Sequence, residues 1–233
     1  STEPKEDDKN VYMDSDLIAR LQEAFNNKDV IAYLSFPEAG INYPVVQGTD
    51  NSQYLHRNVY GGYSINGSIY LDSDNEKDFS SVSSVIYGHH MNNGSMFGSL
   101  ERSLGNWKDK SFKIYTRKKV LTYKLCSTEV IDPSDRDFFI GKKSGAVDIS
   151  SEINSIDSSF PVEKEFIDPY KYSSKEFVSA FKKRYGSSRV EKNMKKFVTL
   201  ITCHYSGGST VRFGATGGLI SSKNIVIKEG KID

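Results

Sequence analysis

Two cysteines and four histidines are the side chains of this 233-residue chain best suited to nucleophilic chemistry. A thiol becomes a nucleophile when a neighbour stabilises its thiolate or exchanges a proton with it. Cys203 closes an apolar run, Phe197-Val198-Thr199-Leu200-Ile201-Thr202-Cys203. Strand alternation predicts Thr199, Ile201 and Cys203 on one face, with Val198, Leu200 and Thr202 on the other. A polar, glycine-containing loop follows and leads to Arg212, nine positions after the cysteine. If the chain returns as an antiparallel strand, Arg212 comes back beside Cys203, where a guanidinium can hold the oxyanion of an acyl transfer. His89 ends a second apolar run, Val85-Ile86-Tyr87-Gly88-His89, and a strand end is a rigid mount for a catalytic base. Adjacent strand residues face opposite sides, so only one of His89 and His90 can meet the thiol. His204 points away from Cys203 in the same alternation, which makes it the weaker base or a contact at the groove rim. Cys126 lies mid-run between Leu125 and Ser127 with no His or Arg near it in sequence, and reads as a small core or wall residue.

The elements that must carry these residues are mostly strands. Runs over 30–36, 43–47, 68–71, 84–87, 112–115, 120–131, 197–203 and 224–227 are rich in Val, Ile, Tyr, Phe or Thr and bounded by turn formers. They predict a mainly β barrel or sandwich. Residues 14–27 carry Leu17, Ile18, Leu21, Ala24 and Phe25 at helical spacing behind Asp14 or Ser15 as cap, which predicts an amphipathic helix on the outside of the core. A second helix is expected over 173–186, with Ser173 and Glu176 at capping-box spacing and Gly186 at its end. The stretch 213–220 is rich in glycine and reads as a poor strand.

Composition narrows the function. Thirty-one basic and thirty acidic residues leave a formal charge of +1, so no global field draws the chain to nucleic acid or an anionic membrane. No apolar run approaches the length of a membrane span. Residues 1–10 are too polar to bury, and 1–12 are expected to be a stalk or linker below an anchor outside this sequence, with one domain over 13–233. Joining Cys203, His204, His89 and His90 into a metal site lacks the paired spacings that zinc sites show, so no metal is expected.

Several segments resemble one family. Thr199-Leu200-Ile201-Thr202-Cys203 resembles the TLxTC signature of sortases, and Tyr87-Gly88-His89-His90-Met91 resembles the histidine strand of class B sortases. Ile41-Asn42-Tyr43-Pro44-Val45-Val46-Gln47 with Asp50-Asn51 and Tyr54-Leu55 is similar to class B sequences too. So are Gly67-Ser68-Ile69-Tyr70-Leu71-Asp72 and Gly94-Ser95-Met96-Phe97-Gly98, and the matches keep the family's order from about Val30 to Arg212.

The resemblance implies an eight-stranded sortase-type β-barrel with an N-terminal helix and a helix in the insert before the cysteine strand. It implies a cysteine transpeptidase without cofactors, in which Cys203 attacks after the threonine of an NPxTx-like sorting motif. His89 would move the proton and Arg212 hold the oxyanion, with Asn51, Leu55, Tyr87 and Thr202 lining the peptide groove. The expected partners are surface proteins bearing that motif and an amine of a peptidoglycan precursor or a pilin lysine. The expected location is the extracellular face of the cell membrane, through an N-terminal anchor. The rival readings are a cell-wall cysteine peptidase, which differs only in using water as acceptor, and a non-catalytic surface or pilus component.

Overall fold

Val30, Ala32, Leu34 and Phe36 recur at every second position, and in the computed structural model of the chain they form the fully buried face of one strand. The structure describes residues 9–103, 109–131, 175, 178–179, 182, 190–206 and 209–228. Its strands are β1 (Asn10–Met13), β2 (Val30–Phe36), β3 (Ile41–Val46), β4 (Tyr70–Leu71), β5 (Ser83–Gly88), β6 (Ser111–Tyr115), β7 (Lys119–Ile131), β8 (Phe197–Ser206) and β9 (Ser209–Ile227). Eight of them pair in the order β9-β7-β6-β2-β3-β4-β5-β8, and β8 pairs back onto β9. That last pairing closes the sheet into the expected eight-stranded barrel and leaves no open edge between its first and last strands. Inward-facing Leu34, Ile41, Leu71, Ile86, Phe112, Tyr123, Val198 and Leu200 fill it.

The helix α1 (Leu17–Phe25) lies within the expected 14–27 segment, but its cap is Asp16 rather than Asp14 or Ser15. Only Asp16 stands three residues before Ala19, whose N–H its Oδ1 accepts at 2.9 Å. One face of α1 packs Leu21 and Phe25 against a cluster of Val30, Val46, Tyr54 and Tyr70, to which Tyr87 also belongs. The expected helix over 173–186 lies outside the described residues, save for positions 175, 178, 179 and 182, which are helical.

Two expectations change. Pairing begins inside the stretch read as a stalk, because Asn10–Met13 adds parallel to the end of β9. Of that stretch, residues 1–8 lie outside the described residues. Residues 213–220, read as a poor strand, run without a break through the 19-residue β9. Gly217 sits where a Cβ would lie 2.8 Å from Phe112 Cε1 and 2.9 Å from Tyr123 Cβ, and Gly218 presses against Met194. The glycines are there because neighbouring side chains fill their space, and pairing with β7 on one side and β8 on the other offsets their weak strand propensity.

Candidate active site

Strand β5 ends where the site begins. It runs parallel to β8 with Ser83 opposite Phe197 and Gly88 opposite Thr202. One step further in the same register stand His89 and Cys203. On its other side β8 pairs antiparallel with β9, and there Cys203 is opposite Arg212. Positions 89, 203 and 212 therefore form one row across three neighbouring strands at the rim of the barrel.

Each end of this row is held by local structure. Gly88 precedes the histidine because a Cβ there would come within 2.6 Å of Ile69 Cδ1 and Phe97 Cγ. The His89 carbonyl accepts the Phe97 N–H at 3.0 Å, and the Met96 N–H donates to the Tyr43 hydroxyl at 2.9 Å. The 94–98 turn thus clasps the strand end and leaves the His89 backbone little freedom. His90 steps out of the row into an isolated bridge with Met96.

The His89 imidazole is half-buried. Burial holds its pKa below the ordinary histidine value, and the positive charges of His56, His90 and Arg212 lower it further. The neutral ring is therefore favoured at neutral pH, ready to accept a proton. Arg212 is buried at 5% exposure, and its Nη2 has no hydrogen-bond partner among the described residues. An unpaired buried guanidinium nitrogen is costly in a fold and useful in a site that must receive negative charge.

The candidate groove residues occupy different depths. Tyr87 is half-buried on β5, its hydroxyl donating to Asp72 Oδ2 at 2.8 Å, with its ring centroid 5.1 Å from that of Tyr70. Leu55 is half-buried as well. Asn51 and Thr202 are deeper, each 1% exposed. Both ends of the Asn51 amide are engaged, with Nδ2 donating to Asp72 Oδ2 at 3.2 Å and Oδ1 accepting the Ser73 N–H at 2.7 Å.

Cys126 is a fully buried thiol among Val190, Met194 and Phe197, its Sγ 3.4 Å from the Thr216 carbonyl. Among the described residues, no group of three His, Cys, Asp or Glu side chains is placed to hold a metal ion.

A family model described as a sortase domain matches residues 34–217, well over half of the chain. The chain belongs to the sortase family. Its curated relatives and its structural neighbours are class B members. Sortase B of Listeria monocytogenes is 39% identical over 88 residues, a match that covers 38% of this chain and 34% of that protein. The alignment thus spans about a third of that relative's length. A Streptococcus pyogenes class B sortase involved in pilus biogenesis superposes with a TM-score of 0.61 at 26% identity, covering 88% of this chain and 98% of that one. A Staphylococcus aureus sortase B–substrate complex gives a TM-score of 0.61 at 18% identity over 87% of this chain and 84% of that one.

Two residues near this sortase site carried no role in the sequence reading. His56 stands in the sequence without an informative context, and only the fold brings its charge within reach of His89. Asp72 closed a family-like segment, and an acid directly after the apolar pair Tyr70-Leu71 was the one available hint that it is buried for a reason.

Proposed function

We propose that the protein is a cysteine transpeptidase that cleaves an NPxTx-like sorting motif after its threonine and passes the acyl group to an amine. The row of His89, Cys203 and Arg212 carries this reading. His89 takes the thiol proton of Cys203 and becomes the imidazolium, the thiolate attacks the threonine carbonyl carbon, and Arg212 donates to the oxyanion as it forms. The C–N bond then breaks, the leaving amine takes a proton from the His89 imidazolium, and a thioester remains. An acceptor amine attacks the thioester carbonyl and loses its proton to His89, and the C–S bond breaks to restore the thiolate. No step calls for a cofactor.

The acceptor we favour is an amine of a peptidoglycan precursor, at the outer face of the cell membrane. Likeness to the pilus-associated streptococcal enzyme favours a pilin lysine as the second choice. The test is turnover of a panel of fluorogenic NPxTx peptides with and without an added amine. Mass spectrometry should find the peptide joined to the amine through its threonine, with slow hydrolysis when no amine is present. Hydrolysis alone, whatever the amine concentration, would establish a peptidase, and no turnover of any peptide would indicate a binding protein.

A further inference from the structure

We infer that Asp72 is a positioning residue of this site, holding two walls of the substrate groove through one buried carboxyl group. The inference rests on the transpeptidase reading and adds a residue to it. Asp72 follows β4 directly and is 0% exposed. Its Oδ2 accepts from the Tyr87 hydroxyl at 2.8 Å and from Asn51 Nδ2 at 3.2 Å. Its Oδ1 accepts the Asp74 N–H at 3.1 Å.

The backbone of Asp72 is fixed as well. Its N–H donates to the Val85 carbonyl at 2.9 Å, and its carbonyl accepts from Gln47 Nε2 at 2.8 Å. One residue thus ties together the loop after β3, the end of β4 and the end of β5. Tyr87 stands two residues before His89 on β5, and its register partner Ile201 stands two before Cys203 on β8. A buried polar group of this kind is retained in a core when its bonds fix a geometry that apolar packing would leave loose.

The carboxyl group suits the task in a way its amide does not. Both side chains on Oδ2 are donors. Asparagine in its place would keep the shape but offer one acceptor oxygen, so its NH2 group would face either Tyr87 and Asn51 or the Asp74 N–H, and donors would meet donors on that side. Asp72 does not figure among the charges acting on His89. Its influence therefore passes through the groove wall and is expected in substrate binding more than in the chemical step.

The experiment is a double-mutant cycle of Asp72→Ala, which removes both acceptor oxygens, and Tyr87→Phe, read by steady-state cleavage of the best NPxTx peptide. Each single variant should lower kcat/KM roughly ten- to hundredfold. Most of that loss should be a raised KM, and the double variant should be hardly worse than either single one. Alkylation of Cys203 by iodoacetamide should keep its wild-type rate and pH profile in all three variants. The conservative Asp72→Glu should fail to rescue, because a longer arm cannot reach both partners from the same backbone. Additive losses, a fall in kcat at constant KM, or an altered alkylation profile would each overturn the role of Asp72 while leaving the transpeptidase reading intact. Absence of cleavage by the wild type would remove both.

Discussion

The two cysteines occupy strands that both pair with β9, yet they stand in opposite circumstances. On β7, Cys126 lies where the register shifts between Leu125 and Ser127, so it is the extra residue of a bulge. Its thiol is sealed among Val190, Met194 and Phe197 with a backbone carbonyl as its neighbour. An apolar pocket disfavours thiolate and leaves such a group inert. On β8, position 203 is opposite a buried arginine and one step past the end of the histidine strand. What separates them is the company each keeps across the sheet. Strand type, barrel and β9 partner are shared, so none of these can confer reactivity.

That contrast can be broken most directly at sulfur. Cys203→Ala should abolish cleavage of the sorting peptide to background, whereas Cys126→Ala should leave kcat/KM within about twofold and lower stability by about 1 kcal/mol in a denaturant titration. Activity that survives the first change, or is lost with the second, would reverse the assignment of the two thiols.

Next in size is the choice between neighbouring histidines. His89→Ala should reduce kcat by about a thousandfold, within the range for loss of a general acid–base, and His90→Ala by less than about tenfold. Comparable losses in both variants would show that the register row does not select the base.

Arg212→Gln tests the oxyanion partner and the electrostatics together. The expected loss is about a hundredfold in kcat, comparable to removal of one oxyanion donor. The same change deletes one of the positive charges that hold His89 down, so its imidazolium becomes easier to form. The His89 titration, followed by its ring proton resonances, should move to higher pH yet stay below the ordinary value, because burial is the larger cause and remains. A downward or absent shift would place the guanidinium away from the imidazole. The wild-type shift has a consequence for the fold as well. A histidine whose folded-state pKa is depressed contributes stability above its unfolded value, 6.5, and that contribution is lost as pH falls through the folded pKa.

The smallest effect concerns the strand between the two cysteines. Gly218→Ala should cost about 1–3 kcal/mol by crowding Met194 while leaving KM for the peptide unchanged. A neutral substitution would mean that the glycine serves something other than close packing.

Legibility in the sequence followed local pattern. The alternation of Val30, Ala32, Leu34 and Phe36 was enough to place β2 to the residue. Strands β5, β6 and β7 were found within one residue at each end, because each is an apolar run between turn formers. Asn10–Met13 is only four residues long and follows a polar run, so nothing local marks it as a strand, and its pairing partner is the edge of β9, more than two hundred residues away. The run 213–220 misled because glycine was judged on propensity, and propensity does not record that Phe112, Tyr123 and Met194 need the room.

The same division holds at the site. By itself the sequence determined that a thiol and an imidazole close extended runs and that a guanidinium follows the thiol across a short loop, in the order of a sortase, because such runs and motifs are local and survive any packing. Only the tertiary structure decided that positions 89, 203 and 212 share one row, since register depends on which strands meet and at what offset. Only it revealed Asp72 beneath Tyr87 and Asn51, because a buried hydrogen bond joins residues that the chain keeps apart.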